Sequence, residues 1–73
     1  TVEVSILARI FKDKVRISLR SNNIDVNEVA SIFGGAGHKN AAGITTNMPY
    51  EELIKKLLEV LEGKIYEWNI NSK

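Results

Sequence analysis

The spacing of hydrophobic and polar positions along this 73-residue chain changes several times, and each change marks an element. Val2, Val4, Ile6, Ala8 and Ile10 share one face, and Glu3, Ser5 and Arg9 share the other, with Leu7 the exception. A period of two is that of a half-buried strand. Residues 15–19 repeat it, with Val15, Ile17 and Leu19 set against Arg16 and Ser18. A two-residue turn at Lys12-Asp13 pairs Ile10 with Val15, Ala8 with Ile17 and Ile6 with Leu19, so the apolar faces coincide. Neither turn residue is glycine, so this register rests on the pattern rather than on turn chemistry. The same register sets Arg9 opposite Arg16 and Ser5 opposite Arg20 on the polar face. Like charges directly across a strand pair repel. Water tolerates that arrangement, and a nearby anion relieves it.

The period then lengthens. Asp25 followed by Glu28 has the spacing of a helix start with a capping box. Val26, Val29, Ala30 and Phe33 follow at helical intervals, and Gly34 ends the run. Four of the five glycines fall within residues 34–43, and Ile44-Thr45-Thr46 reads as a third strand. Pro49 marks the start of a second helix. Leu53, Ile54, Leu57, Leu58 and Leu61 form its buried stripe, and Glu51–Lys55 and Glu52–Lys56 form i,i+4 pairs on its wet side. Gly63 is read as its C-terminal cap, and the weak alternation of residues 65–70 as a short edge strand or a frayed end. The order strand, strand, helix, glycine loop, strand, helix predicts an α/β (α+β) fold. It is a small mixed sheet of three or four strands with two helices packed on one face, forming a single domain over residues 1–73.

A domain of this size buries only about 60% of its unfolded surface. A deep cavity built from this chain alone is therefore not expected, and a large ligand site is shared with another domain or chain. The absence of cysteine excludes disulfides and thiolate metal sites and fits a cytoplasmic location. No apolar run approaches the ~18 residues of a membrane span. The chain opens on Thr1 rather than Met, as a segment trimmed from something longer would. Net charge is only +1, yet Arg9, Lys12, Lys14, Arg16 and Arg20 gather in the first hairpin against Asp13 alone. That is either a local basic surface or a solvated hairpin face.

The glycine run carries the candidate chemistry. Glycine lets a ligand approach the backbone with no Cβ in the way, and successive exposed N–H groups form a concave anion site. Gly34, Gly35, Ala36 and Gly37 are read as that site, with His38, Lys39 and Asn40 adding side-chain donors. The run lacks the Lys-Ser/Thr pair of a Walker loop. It also follows a helix rather than a strand, which separates it from the dinucleotide fingerprint. The plain reading is a helix cap followed by a tight turn. Arg20, where a strand hands over to a loop, is a further candidate ligand contact. Tyr66 and Trp68 are read as packing residues that could also stack on bases. A single histidine with no acidic cluster makes no metal site, and no Ser-His-Asp set with supporting context is present. The domain alone is expected to have no catalytic residues.

The stretch Phe33-Gly34-Gly35-Ala36-Gly37-His38-Lys39-Asn40-Ala41-Ala42-Gly43 resembles the glycine-rich motif of the DHH-associated C-terminal domain (subfamily one) of DHH phosphoesterases. Val15-Arg16-Ile17-Ser18-Leu19-Arg20-Ser21 and the helix over residues 26–33 are similar as well, so the resemblance spans roughly residues 2–62. The family includes RecJ-like exonucleases, nanoRNase/pAp phosphatases and cyclic-dinucleotide phosphodiesterases. The resemblance implies a division of labour. A separate N-terminal DHH domain, absent from this chain, carries manganese and hydrolyses, while this domain closes over the cleft and holds the nucleotide. Carried over by position, the substrate- or phosphate-binding residues are Arg20, Gly34, Gly35, Ala36, Gly37, His38 and Asn40. The implied ligand is a nucleotide or short single-stranded nucleic acid: a short oligoribonucleotide, pAp, a linear dinucleotide, or the DNA of a RecJ-like exonuclease. Two further readings stand beside it. One is a stand-alone module that binds single-stranded nucleic acid. The other is an interaction domain that forms a homodimer.

Overall fold

A computed structural model describes residues 2–71. Its elements are β1 (Ser5–Ile10), β2 (Val15–Arg20), α1 (Val26–Ile32), β3 (Ala36–His38), β4 (Ala41–Thr46) and α2 (Tyr50–Asn71). The four strands form one sheet in the order β1-β2-β4-β3. The α+β class and the two-helix, one-face plan agree with the sequence reading. Every strand pairing is antiparallel. Two short hairpins supply β1–β2 and β3–β4, and neither can join parallel strands.

The first hairpin has the register read from the alternation: Ile10 faces Val15, Ala8 faces Ile17, Ile6 faces Leu19, Arg9 faces Arg16 and Ser5 faces Arg20. A one-residue slip would move Val15, Ile17 and Leu19 out of the core, so burial enforces the register. These three pack with Ile44, Val26, Val29, Leu53, Leu57 and Leu61 in a single cluster on one side of the sheet. Ile6 and Ile10 point to the same side but remain exposed on the edge strand, while Ala8 between them packs against the core. Asp25 caps α1 as expected, its carboxylate accepting from the Glu28 N–H at 3.1 Å. The Pro49 carbonyl accepts from the Leu53 N–H at 3.0 Å and opens α2.

Several expectations are corrected. β1 begins at Ser5 rather than Val2. The stretch read as a loop contains β3, and β4 begins at Ala41 rather than Ile44. Leu58 is exposed, unlike the rest of the predicted stripe. Gly63 caps nothing, and the tail forms neither a strand nor a frayed end as far as it is described. α2 runs on through Gly63 to Asn71, and the end of the tail lies outside the described residues. A glycine inside a helix costs about 1 kcal/mol. Past Gly63 that cost is offset by Ile65 and Trp68, which pack against the core. Lys64 adds a salt bridge across to Glu28 of α1. No helix among the described residues is long and apolar enough to cross a membrane.

Candidate functional site

The glycine run forms a helix cap and an edge strand. The Gly34 N–H donates to Ser31 O at 3.1 Å and the Gly35 N–H to Ala30 O at 2.8 Å, while Gly34 takes φ +79°. These two bonds and the left-handed residue constitute a Schellman motif, which satisfies the last carbonyls of α1. The amides of Gly34 and Gly35 are therefore committed to the domain's own carbonyls and do not form the anion nest expected of them. Gly35 has a further constraint. A Cβ built there would lie 2.2 Å from the Gly43 carbonyl oxygen. At Gly37 it would lie 2.5 Å from both Ala41 O and Ala42 Cα. The two glycines let β3 lie tight against β4, and β3 ends in His38.

This packing has a chemical consequence, because directly opposed residues of an antiparallel sheet share a face. His38 faces Ala41, Ala41 faces Arg20, and Arg20 faces Ser5. These four residues cross the sheet in one row on the side away from the helices. His38 and Arg20 are both exposed and stand about 10 Å apart at their α-carbons, two strand spacings. Only the methyl group of Ala41 rises between them. The next row is Ala36, Gly43, Ser18 and Leu7, and the third is Thr45, Arg16 and Arg9. Small side chains thus pave the floor between the histidine and the arginines.

Next to Arg20 the surface folds into a cleft of about 510 Å³, lined by Glu3, Val4, Ser5, Arg20, Ser21, Asn22, Asn23, Asn40 and Ala41. Ser21, which the sequence did not single out, organises its wall. Its buried hydroxyl donates to Glu3 O at 2.7 Å and accepts from the N–H groups of Asn23 (3.1 Å) and Ile24 (3.0 Å). The Asn40 side-chain amide donates to Ser21 O at 2.8 Å, and Asn40 O accepts from Ser21 N at 3.1 Å. Asn40 therefore ties the β3–β4 turn to the loop after β2, which aligns the strand ends bearing His38 and Arg20. A serine directly after a strand-end arginine was the available signal for that hub, yet its long-range partner Glu3 was not readable.

Among the predicted site residues, the structure brings Arg20, His38, Ala36 and Asn40 to one open end of the sheet. Gly34 and Gly35 instead cap α1, and Gly37 lies in β3 against β4. Among the described residues no arginine makes a salt bridge. Likewise, no group of three or more His, Cys, Asp or Glu side chains could hold a metal ion. The site's chemistry is that of an exposed cationic and hydrogen-bonding surface with a small-residue floor, suited to an anion with a planar group attached.

A family model described as the DHHA1 domain matches residues 1–67. A bifunctional oligoribonuclease and PAP phosphatase, NrnA, from Mycoplasma genitalium is 53% identical over 36 residues, covering 48% of this chain and 11% of that protein. An uncharacterized protein of Acanthamoeba polyphaga mimivirus, R106, is 39% identical over 51 residues, covering 60% of this chain and 12% of that protein. The matched stretch is thus about a ninth of the length of the first relative and about an eighth of the second.

Proposed function

The chain belongs to the DHHA1 domain family, and from that premise we propose that it is the nucleotide-gripping domain of a DHH phosphoesterase. Its substrates would be short oligoribonucleotides, pAp or linear dinucleotides; the name of the Mycoplasma relative, an oligoribonuclease and PAP phosphatase, supports the first two. The observation that carries this reading is the row of His38, Ala41 and Arg20 beside the 510 Å³ cleft. A phosphate seated above Ala41 receives a charge-assisted bond from the Arg20 guanidinium on one side. His38 reaches the same group from the other side, either by a hydrogen bond or by stacking on the attached base. Ser18, Ala36 and Gly43 leave room for a sugar and base on the sheet face.

Hydrolysis belongs to the partner domain. Among the described residues no cluster of His, Cys, Asp or Glu fits a manganese site. The domain's contribution is to bind and orient, which places the scissile bond against chemistry supplied elsewhere.

The test uses Arg20→Ala and His38→Ala in the full-length protein. Each removes an exposed side chain, so thermal stability should stay within a few degrees. A charge-assisted hydrogen bond is worth about 1.5–3 kcal/mol, so dinucleotide affinity should fall about 10- to 150-fold. Unchanged affinity in both variants refutes the reading.

A further inference from the structure

The open sheet face carries a second cationic group that the nucleotide site does not use. Arg9 and Arg16 are directly opposed across β1 and β2. They line a cleft of about 340 Å³ together with Leu7, Phe11 and Ser18. Leu7 is 62% exposed and Phe11 52%. Two exposed arginines thus face each other across the strand pair, neither of them in a salt bridge among the described residues, and an exposed aromatic residue lines the same cleft. Arg16 lies four residues before Arg20 on β2, on the same face, so their α-carbons are about 13 Å apart. Between them on that strand stands only the small Ser18. Along β2 the face therefore reads cation, small hydroxyl, cation. At the duplex rise of about 3.4 Å per phosphate in one strand, that span takes about four phosphates, and a more extended strand places fewer there.

We propose that Arg9, Arg16 and Phe11 form a second binding site, one that takes the nucleotides beyond the phosphate held at Arg20. The preferred ligand of the domain is then a single-stranded oligonucleotide longer than two residues. This rests on the reading of Arg20 and His38 as the first phosphate site. The arginine pair holds one or two phosphates, which also relieves the repulsion between them. Phe11 offers its ring to a base, a contact indifferent to sequence. Leu7 covers the ring's neighbouring surface.

The experiment measures equilibrium binding of the full-length protein by fluorescence anisotropy. The probes are ribo-oligonucleotides of two and six residues with hydrolysis-resistant phosphorothioate linkages. The double variant R9Q/R16Q should bind the six-residue probe about tenfold or more weakly. Its logarithmic salt slope should be smaller by about 0.7–1.4, for one or two phosphate contacts at about 0.7 each. Phe11→Ala should weaken the same probe about 5- to 150-fold, the range for one stacked base. Both variants should bind the two-residue probe within twofold of the parent. Replacing exposed arginines with glutamine removes a repulsion, so the melting temperature should not fall. An equal loss for both probes, or none for the longer one, overturns the proposal. Separately, if the parent protein binds neither probe, the first phosphate site falls and this one with it. A dinucleotide affinity that depends on Arg20 but gains nothing from added length overturns the second site alone.

Discussion

Substituting alanine for glycine at three positions tests the structural account of the glycine run, because the same methyl group meets three different surroundings. At Gly35 the new Cβ would lie 2.2 Å from Gly43 O and 3.1 Å from Ile44 Cα. The oxygen contact falls short of ordinary van der Waals distance by about 1.2 Å, and both neighbours are backbone of a central strand. Relief requires β3 and the end of α1 to move off β4, loosening the Schellman bonds and the β3–β4 ladder together. Overpacking costs about 1–3 kcal/mol, and a rigid backbone neighbour puts this case near the top of that range. A domain of this length has about 4–11 kcal/mol in total, and each kcal/mol shifts Tm by about 4–8 °C. Gly35→Ala should therefore melt about 12–24 °C lower. At Gly34 no atom lies within 4 Å, but φ is +79°, and a left-handed alanine costs about 1–2 kcal/mol. At Gly63 there is likewise open space, and the residue lies inside α2. Alanine there should stabilise by about 0.8–1 kcal/mol. The expected order in a circular-dichroism melt is Gly63→Ala highest, then the parent, then Gly34→Ala, then Gly35→Ala. If Gly35→Ala melts with the parent and loses only ligand affinity, the reasoning is refuted and Gly35 faces the ligand.

Other consequences concern the bonds that hold the site in place. Ser21→Ala leaves the Asn23 and Ile24 N–H groups and the Glu3 carbonyl without their partner, and should cost about 2 kcal/mol in urea unfolding; a loss below about 0.5 kcal/mol would contradict the hub role. Lys64 is held above its ordinary pKa, chiefly by the hydrogen bond to Glu28, with burial opposing and the charges of Glu28, Glu67 and Asp25 assisting. A raised folded-state value means that the bond's contribution is complete below the usual lysine value of about 10.4 and disappears as pH climbs through the folded one. Stability should accordingly drop above pH 10 in the parent and drop less in Lys64→Met; equal slopes would remove the bond from the account.

Much of the architecture was legible in the order of residues. Alternation from Val2 to Leu19 specified the first hairpin down to the Arg9–Arg16 and Ser5–Arg20 pairs, because a slip by one residue exposes the whole core face of β2. Asp25 and the spacing of Val26, Val29 and Ala30 placed α1, and the leucine stripe placed the first half of α2. The second half was misread because the local signal, Gly63, is weaker than the packing of Ile65 and Trp68 on a surface formed by distant segments. The glycine run was misread for a related reason. The need for glycine at positions 35 and 37 arises from the backbone of β4, and no local pattern records how closely two strands approach.

Arg20 and His38 were legible as residue types suited to a phosphate, but their partnership was not. They are separated by eighteen positions and a helix. Only the insertion of β4 between β2 and β3 brings them into one row across Ala41. Sequence determined which faces are apolar and where turns and caps fall, since these follow from the chain's own periodicity. Tertiary structure decided which polar residues share a surface, since that depends on strand order, and strand order is set by how two helices and two hairpins pack around a single core.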